Sequence, residues 1–259
     1  MSTQDSSSNS SWPTLGLPEV AGRQLAPDGV LRAALNLSNF LLVSGRSEAG
    51  EWRGVAPDMA RAMAGALGVG IEFMAYDTPA EVVRAAGSGA WTVAFIGADP
   101  ARADRIRFTE PYVDIEAGYL VPPGSTLRHA DEVDRKPHRI AAFRGSAYAL
   151  WLASHLQHAS LVHGATFDEA FEYFRRGGID ALASLVPKLL SDQQAWPGSR
   201  ILPGAFMTVQ QSVGSDAQHP EGALFVQQFV RDAKATGRVA ALIEQHRVAG
   251  LEVSPLRAR

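Results

Sequence analysis

Two short turns hold the residues best suited to chemistry. The first, Gly97-Ala98-Asp99-Pro100-Ala101-Arg102, follows the wholly apolar run Val93-Ala94-Phe95-Ile96. Asp99 is a good helix N-cap and proline suits the first helical position, so Arg102 falls in the first turn of a helix. A cation there opposes the helix dipole and needs compensation. Two sources are open: a surface ion pair with Asp99 or Glu110, or an anion shared by the guanidinium and free backbone N–H groups. The second turn is Phe143-Arg144-Gly145-Ser146-Ala147. Gly145 lets the backbone approach closely, and Ser146 offers a hydroxyl beside unpaired N–H groups, either as a plain helix cap or as part of an anion site. Two such turns, at the C-terminal ends of strands in facing halves, would open on one crevice, the usual ligand position in open α/β sheets.

Other chemistries find less support. There is no cysteine, which removes disulfides, zinc-thiolate sites, iron–sulfur clusters and thiol nucleophiles together. The seven histidines are scattered. His155 and His158 share a helix face, but no carboxylate stands within that turn, so no metal site is expected. The chain lacks a Gly-x-Ser-x-Gly elbow, a phosphate loop and a Gly-x-Gly-x-x-Gly fingerprint after a strand. No catalytic residue and no cofactor are therefore expected. The 24 Lys and Arg face 27 Asp and Glu, a net charge of −3 with no basic tract, so nucleic acid and anionic membranes are not expected partners.

The elements that must position the two turns follow from periodicity. The chain has 259 residues, 46% apolar and 20% charged, enough for one or two packed cores. Short apolar runs at Val30–Leu35, Ile71–Tyr76, Val93–Ile96, Arg139–Phe143 and Ile179–Ala183 read as strands. Between them, Pro57 to Leu67 places Met59, Met63 and Leu67 on one face. Thr78 and Thr166 each open a capping box, and a helix follows Ser146. Alternating strands and helices predict parallel sheets covered on both faces. The Pro122-Pro123-Gly124 break divides the series in two. An extended stretch over 206–213 and helices at 221–236 and 238–248 then return to the first half. The expected division is a flexible leader at 1–29, a first lobe at 30–117 plus 213–259, and a second lobe at 118–212. Two crossover strands make a hinge beside a cleft.

The serine-rich start has no basic residue and no apolar run, unlike a secretory signal, and no run approaches the ~20 residues that span a bilayer. The sequence as written is thus expected to be cytoplasmic without membrane insertion; an upstream signal would make it periplasmic.

The motifs in their order resemble the type 2 periplasmic binding proteins, specifically the amino-acid (family 3) solute-binding proteins of ABC transporters. The anchors are Leu31 to Asn36, Gly54 to Ala60, Asp99-Pro100-Ala101-Arg102 with Phe108-Thr109-Glu110-Pro111-Tyr112, Arg144-Gly145-Ser146, and Gly178-Ile179-Asp180-Ala181. The resemblance implies a two-lobed α/β fold with a ligand cleft between lobes joined by two crossover strands, and a monomer that captures a small solute for an ABC permease. It puts Arg102 in the place of the arginine that binds the ligand carboxylate, with Gly97 among the backbone positions beside it. Ser146 and Arg144 fall in the second-lobe turn. Asn36, Asn39, Phe40 and Trp52 fall in segments similar to the ligand-facing first-lobe loops, although Phe40 and Trp52 also suit core packing.

One departure from the family pattern bears on the ligand. An acidic residue usually follows the Asp-Ala strand and takes the ligand ammonium, whereas Leu185 stands there in this chain. A desolvated ammonium without a carboxylate would cost several kcal/mol. The expected ligand is therefore a small carboxylate, amino-acid-like or a deaminated organic acid, held by a non-catalytic transporter component or soluble sensor. Asp180 is expected to face a loop or cap the strand end. The alternative is an enzyme resembling cyclohexadienyl dehydratase. That chemistry needs an acid near Leu185-Val186-Pro187-Lys188, where the sequence offers a lysine, and losing a general acid removes roughly 10²–10⁴-fold in rate.

Overall fold

The computed structural model describes residues 19–257. The serine-rich start of the expected leader lies outside the described residues. The leader expected over 1–29 ends sooner than its composition implies: Glu19–Leu25 form helix α1, with Ala21 and Leu25 buried. Two apolar side chains suffice because the helix packs on a later helix, where Gly222 N–H donates to Gln24 Oε1 at 2.8 Å.

From there strands and helices alternate. The series runs β1 (Val30–Asn36), a small hairpin of β2 (Gly45–Arg46) and β3 (Trp52–Arg53), α2 (Val55–Leu67), β4 (Gly70–Tyr76), α3 (Pro79–Arg84) and β5 (Val93–Gly97). A single 3-10 turn, Pro100–Arg102, leads to β6 (Ile106–Phe108) and the long β7 (Val113–Val121). The second series is β8 (Arg139–Phe143), α4 (Ala147–His155), β9 (Ser160–Gly164), α5 (Phe167–Arg175), β10 (Ala181–Leu185) and α6 (Val186–Ala195). After β11 (Arg200–Ile201) the long β12 (Met207–Asp216) returns, followed by α7 (Pro220–Ala235), α8 (Arg238–His246) and β13 (Glu252–Val253).

Local chemistry sets several boundaries. Gly54 precedes α2 at φ 131°, and a Cβ there would stand 2.3 Å from the Leu42 carbonyl oxygen, so only glycine allows the chain to enter the helix at that point. Thr78 and Glu81 form the expected reciprocal cap on α3, with Pro79 in its first turn. Thr166 accepts from Glu169 N–H at the start of α5. The expected helix after Asp99 is only the 3-10 turn, because Ile106 re-enters strand four residues after Arg102.

One curled sheet carries the order β4-β1-β5-β12-β7-β10-β8-β9. At each end three strands run parallel, β4-β1-β5 and β10-β8-β9. Between them β7 and β12 run antiparallel to each other, with Met207 opposite Ala117 and Gln211 opposite Val113. Each long strand changes partner along its length. β12 passes from β7 to β5 and β6, and β7 passes from β12 to β10 and β11. These are the two crossover strands expected of a two-lobed α/β fold. A separate apolar cluster around Trp91, Ala34, Val82 and Ile96 packs under one end, and another around Phe174, Phe171, Leu182 and Leu189 under the other. The strands β1, β5, β8 and β10 therefore deliver their C-terminal ends to one crevice.

Candidate functional site

At those ends lies a small cavity. Asn36, Ser38 and Asn39 line it from the turn after β1, and Gly97 and Arg102 from the turn after β5. Phe143, Ser146, Ala147 and Tyr148 come from the β8–α4 turn, with Leu185 at the end of β10. Val209 and Gln211 on β12 form the floor, and Pro79 and Phe167, each at a helix start, complete the wall. Its free space is about 40 Å³, room for roughly three waters.

Arg102 is the one charged side chain in this lining, and it is 4% exposed. Its Nη1 donates to the Gly97 carbonyl at 2.5 Å and its Nη2 to the Gly145 carbonyl at 2.8 Å. The second bond joins the β5 side of the crevice to the β8 side. Neither surface ion pair open to the sequence is made. Asp99 instead caps the Ala101 N–H at 2.8 Å, and Glu110 is held by Arg231 and Lys234. Burial pushes the Arg102 guanidinium down to about 10, with Asp99 pulling the other way, so it stays a cation at neutral pH. A buried guanidinium satisfied only by carbonyl dipoles favours an anion beside it.

The backbone donors differ from the expectation on one side of the crevice. In the Asp99 turn the N–H groups of Ala101 and Arg102 are already bonded to Asp99. On the other side Ser146 acts as a helix cap, accepting from Ala149 N–H at 3.2 Å and donating to the Phe143 carbonyl at 2.8 Å. The N–H groups of Ala147 and Tyr148 open α4 without a partner inside the helix. Two neutral acceptors, Asn39 Oδ1 and Gln211 Oε1, are buried without a hydrogen-bond partner. Asn36 Oδ1 accepts from Ser38 Oγ at 2.7 Å. Burial drives the Tyr148 hydroxyl up to about 12, which keeps it neutral.

Not every expected residue reaches the cavity. Phe40 stands outside the lining, 42% exposed, with its ring edge-on to Phe167 at 6.3 Å. Trp52 lies elsewhere: it belongs to the β2–β3 hairpin, packs on the core and carries the Arg46 guanidinium 3.9 Å from its ring centroid. Arg144 is exposed; only its backbone is tied, to the Gly164 carbonyl at 2.9 Å. Its position before the αL turn at Gly145, φ 73°, sends the chain past the crevice before Ser146 enters it. The sequence reading did not single out Ser38, Pro79, Tyr148, Phe167 or Gln211. For Gln211 there was a signal, a polar residue between Val209 and Val213 on one face of an extended run. Leu185 does face the cavity. Asp180 accepts from Arg139 N–H at 2.7 Å at the strand margin, and Lys188 is bound within α6 by Asp192.

The chain belongs to the bacterial extracellular solute-binding proteins, family 3, whose profile matches residues 39–248. Solved structures repeat the fold. An amino acid ABC transporter substrate-binding protein, AbpA from Streptococcus pneumoniae, bound to L-arginine, is 20% identical with a TM-score of 0.69, covering 85% of this chain and 95% of its own. The ancestral amino-acid-binding protein AncCDT-1, a precursor of cyclohexadienyl dehydratase, is 19% identical at a TM-score of 0.70, with 86% and 97% covered. A histidine kinase sensor domain with similarity to periplasmic binding proteins is 16% identical at 0.72, with 87% and 98% covered. Comparison with curated protein sequences returns no match. Among the described residues no helix is long and apolar enough to cross a membrane.

Proposed function

We propose that this chain is a non-catalytic solute-binding protein whose interlobe cavity captures a small carboxylate that lacks an ammonium group. The observation that carries the reading is the buried Arg102 guanidinium, bonded only to two carbonyl oxygens in a lining without Asp or Glu. The ligand carboxylate takes the place of the Gly145 carbonyl on Arg102 and draws on the N–H groups that open α4. Because about 40 Å³ is too small for an organic acid, the ligand enters with the lobes parted, and contacts to both lobes then favour closure. Residues 30–117 with 213–259 would form one lobe and 118–212 the other, a division supported by the partner changes along β7 and β12.

The dehydratase reading has less support, since the cavity lining offers no carboxyl acid and Lys188 is engaged by Asp192. In the cell, the monomer would hand its solute to an ABC permease, as the family implies. A soluble sensing role is the competing one, supported by the likeness to a kinase sensor domain. Fractionating cells that carry the natural gene decides between the cytoplasmic and extracytoplasmic settings.

The ligand test is a thermal-shift screen that pairs each amino acid with its deaminated counterpart. A ligand at 100 times its dissociation constant adds about 2.7 kcal/mol. Stabilisation by the deaminated acids, lost in Arg102→Ala, is expected. Stabilisation by amino acids alone would overturn the ammonium-free reading, and binding that Arg102→Ala leaves unchanged would overturn the site.

A further inference from the structure

We propose that a second cavity, at the far end of α4 from Ser146, binds a small organic cation with a planar or quaternary nitrogen group. It holds about 540 Å³, within the range of ligand pockets (roughly 300–1,000 Å³). Its wall is a run of aromatic rings. Tyr119, 3% exposed, stacks on Phe206 with centroids 4.5 Å apart, and Phe206 lies 5.7 Å from Trp151. Trp151 is in turn covered by His155 at 4.0 Å and 9°, nearly parallel, which fixes the indole plane.

Charge selects the class of ligand. The lining contains Asp131 and Asp134, the imidazoles of His129 and His155, and no Lys or Arg. Asp134 accepts the backbone N–H groups of Gln157, His158 and Ala159, so it supplies field rather than a free oxygen. Asp131 is exposed and makes no hydrogen bond or ion pair with the described residues. Aromatic faces carry negative quadrupole charge, and a cation over them is attracted by about 0.5–2 kcal/mol. Rings and carboxylates thus favour the same sign of ligand, opposite to that favoured at Arg102. The site is independent of the cleft, because none of its lining residues lines the Arg102 cavity.

The test is calorimetric titration of the full chain with benzyltrimethylammonium, beside neutral benzyl alcohol and anionic benzoate as matched aromatic probes. Saturable millimolar or tighter binding of the ammonium probe is expected, with benzyl alcohol weaker and benzoate absent from this site. Trp151→Leu should weaken the ammonium probe roughly three- to thirtyfold. Asp131→Asn, an exposed change that spares packing, should weaken it about two- to fivefold. Arg102→Ala should leave it unchanged, which separates this proposal from the fate of the carboxylate site. Absence of saturable binding, equal binding of benzyl alcohol, or an affinity indifferent to both Trp151→Leu and Asp131→Asn would each overturn it.

Discussion

Arg102 and Lys234 are both cations taken out of water, and they are satisfied in different ways. The Lys234 side chain is 1% exposed, and its ammonium donates to Glu110 at 2.9 Å and to the carbonyls of Pro111 and Pro255 at 2.8 and 3.0 Å. Arg231 reaches the other oxygen of Glu110 at 2.8 Å. This network ties the turn before β7 and the C-terminal segment to α7. Arg102 has two carbonyls and no carboxylate. A cation whose task is to hold the fold carries its counter-ion in the chain. On the proposed reading, a cation that is to take a ligand's charge is left with dipoles that can be exchanged for it.

The largest test of that contrast is on the paired side. Glu110→Ala leaves Lys234 buried without its anion, and breaking such a pair costs about 3–5 kcal/mol. Urea unfolding should show that loss, a large part of the ~5–15 kcal/mol of an ordinary domain. Lys234→Met, which removes the charge instead of stranding it, should cost clearly less. Equal losses would mean that the network is held by packing and that the comparison with Arg102 is empty.

Removing the unpaired cation should invert the pattern. Arg102→Ala discards two carbonyl contacts together with the desolvation of a buried charge, so stability should change by no more than about 1 kcal/mol in either direction. Carboxylate affinity should fall about a hundredfold, or ~2.7 kcal/mol. Arg102→Lys should not restore it, because an ammonium cannot give the forked donor geometry. A stability loss near that of Glu110→Ala would place Arg102 among the structural cations.

Gly97 lies where the two sides of the crevice meet. A Cβ on it would stand 3.2 Å from the Ala147 Cβ and 3.3 Å from Val209 Cγ1. Gly97→Ala therefore wedges the β5 side from the α4 side at the level of the Arg102–Gly145 bond. The expected effect is about 1–2 kcal/mol against the closed arrangement, read as roughly tenfold weaker ligand binding and a larger radius of gyration in solution scattering. Unchanged compactness would mean that the neighbours absorb the methyl group.

How much of this was legible beforehand follows from what each feature depends on. The turns after β5 and β8 were readable because N-cap residues, proline and glycine signal locally, and Arg102 was conspicuous as a cation at a helix start. The same local logic overextended the Asp99 turn into a helix, since nothing nearby announces that β6 begins at Ile106. It does not reach α6 either: Pro187 sits in the first turn, but Leu185 at the N-cap offers no capping side chain. Phe167 and Pro79 join the cavity from helix starts distant in sequence from both turns, through tertiary approach that no local spacing encodes. Arg144 shows the reverse: it stands in the turn that lines the crevice, but the Gly145 turn leaves its side chain exposed outside.

Asp134 is the anionic counterpart of Arg102, a charge met by backbone dipoles and no ion pair, and it sharpens the comparison at the smallest scale. Three N–H groups of the loop between α4 and β9 converge on it, at 2.8 to 2.9 Å. Burial works to raise this carboxyl, but the three donors outweigh it and hold it below the ordinary aspartate value of 3.8. A carboxyl lowered by folding adds stability that is present above its unfolded value and is lost as pH falls through the folded one. Asp134 should therefore contribute to stability at neutral pH and lose that contribution below about pH 4. Asp134→Asn keeps one acceptor oxygen, so at pH 7 it should cost only about 1 kcal/mol. Its unfolding midpoint should converge with that of the parent chain as the pH is taken towards 2. Melting curves that run parallel down to acid would show that dipoles alone do not hold this charge, and would weaken the same argument for Arg102.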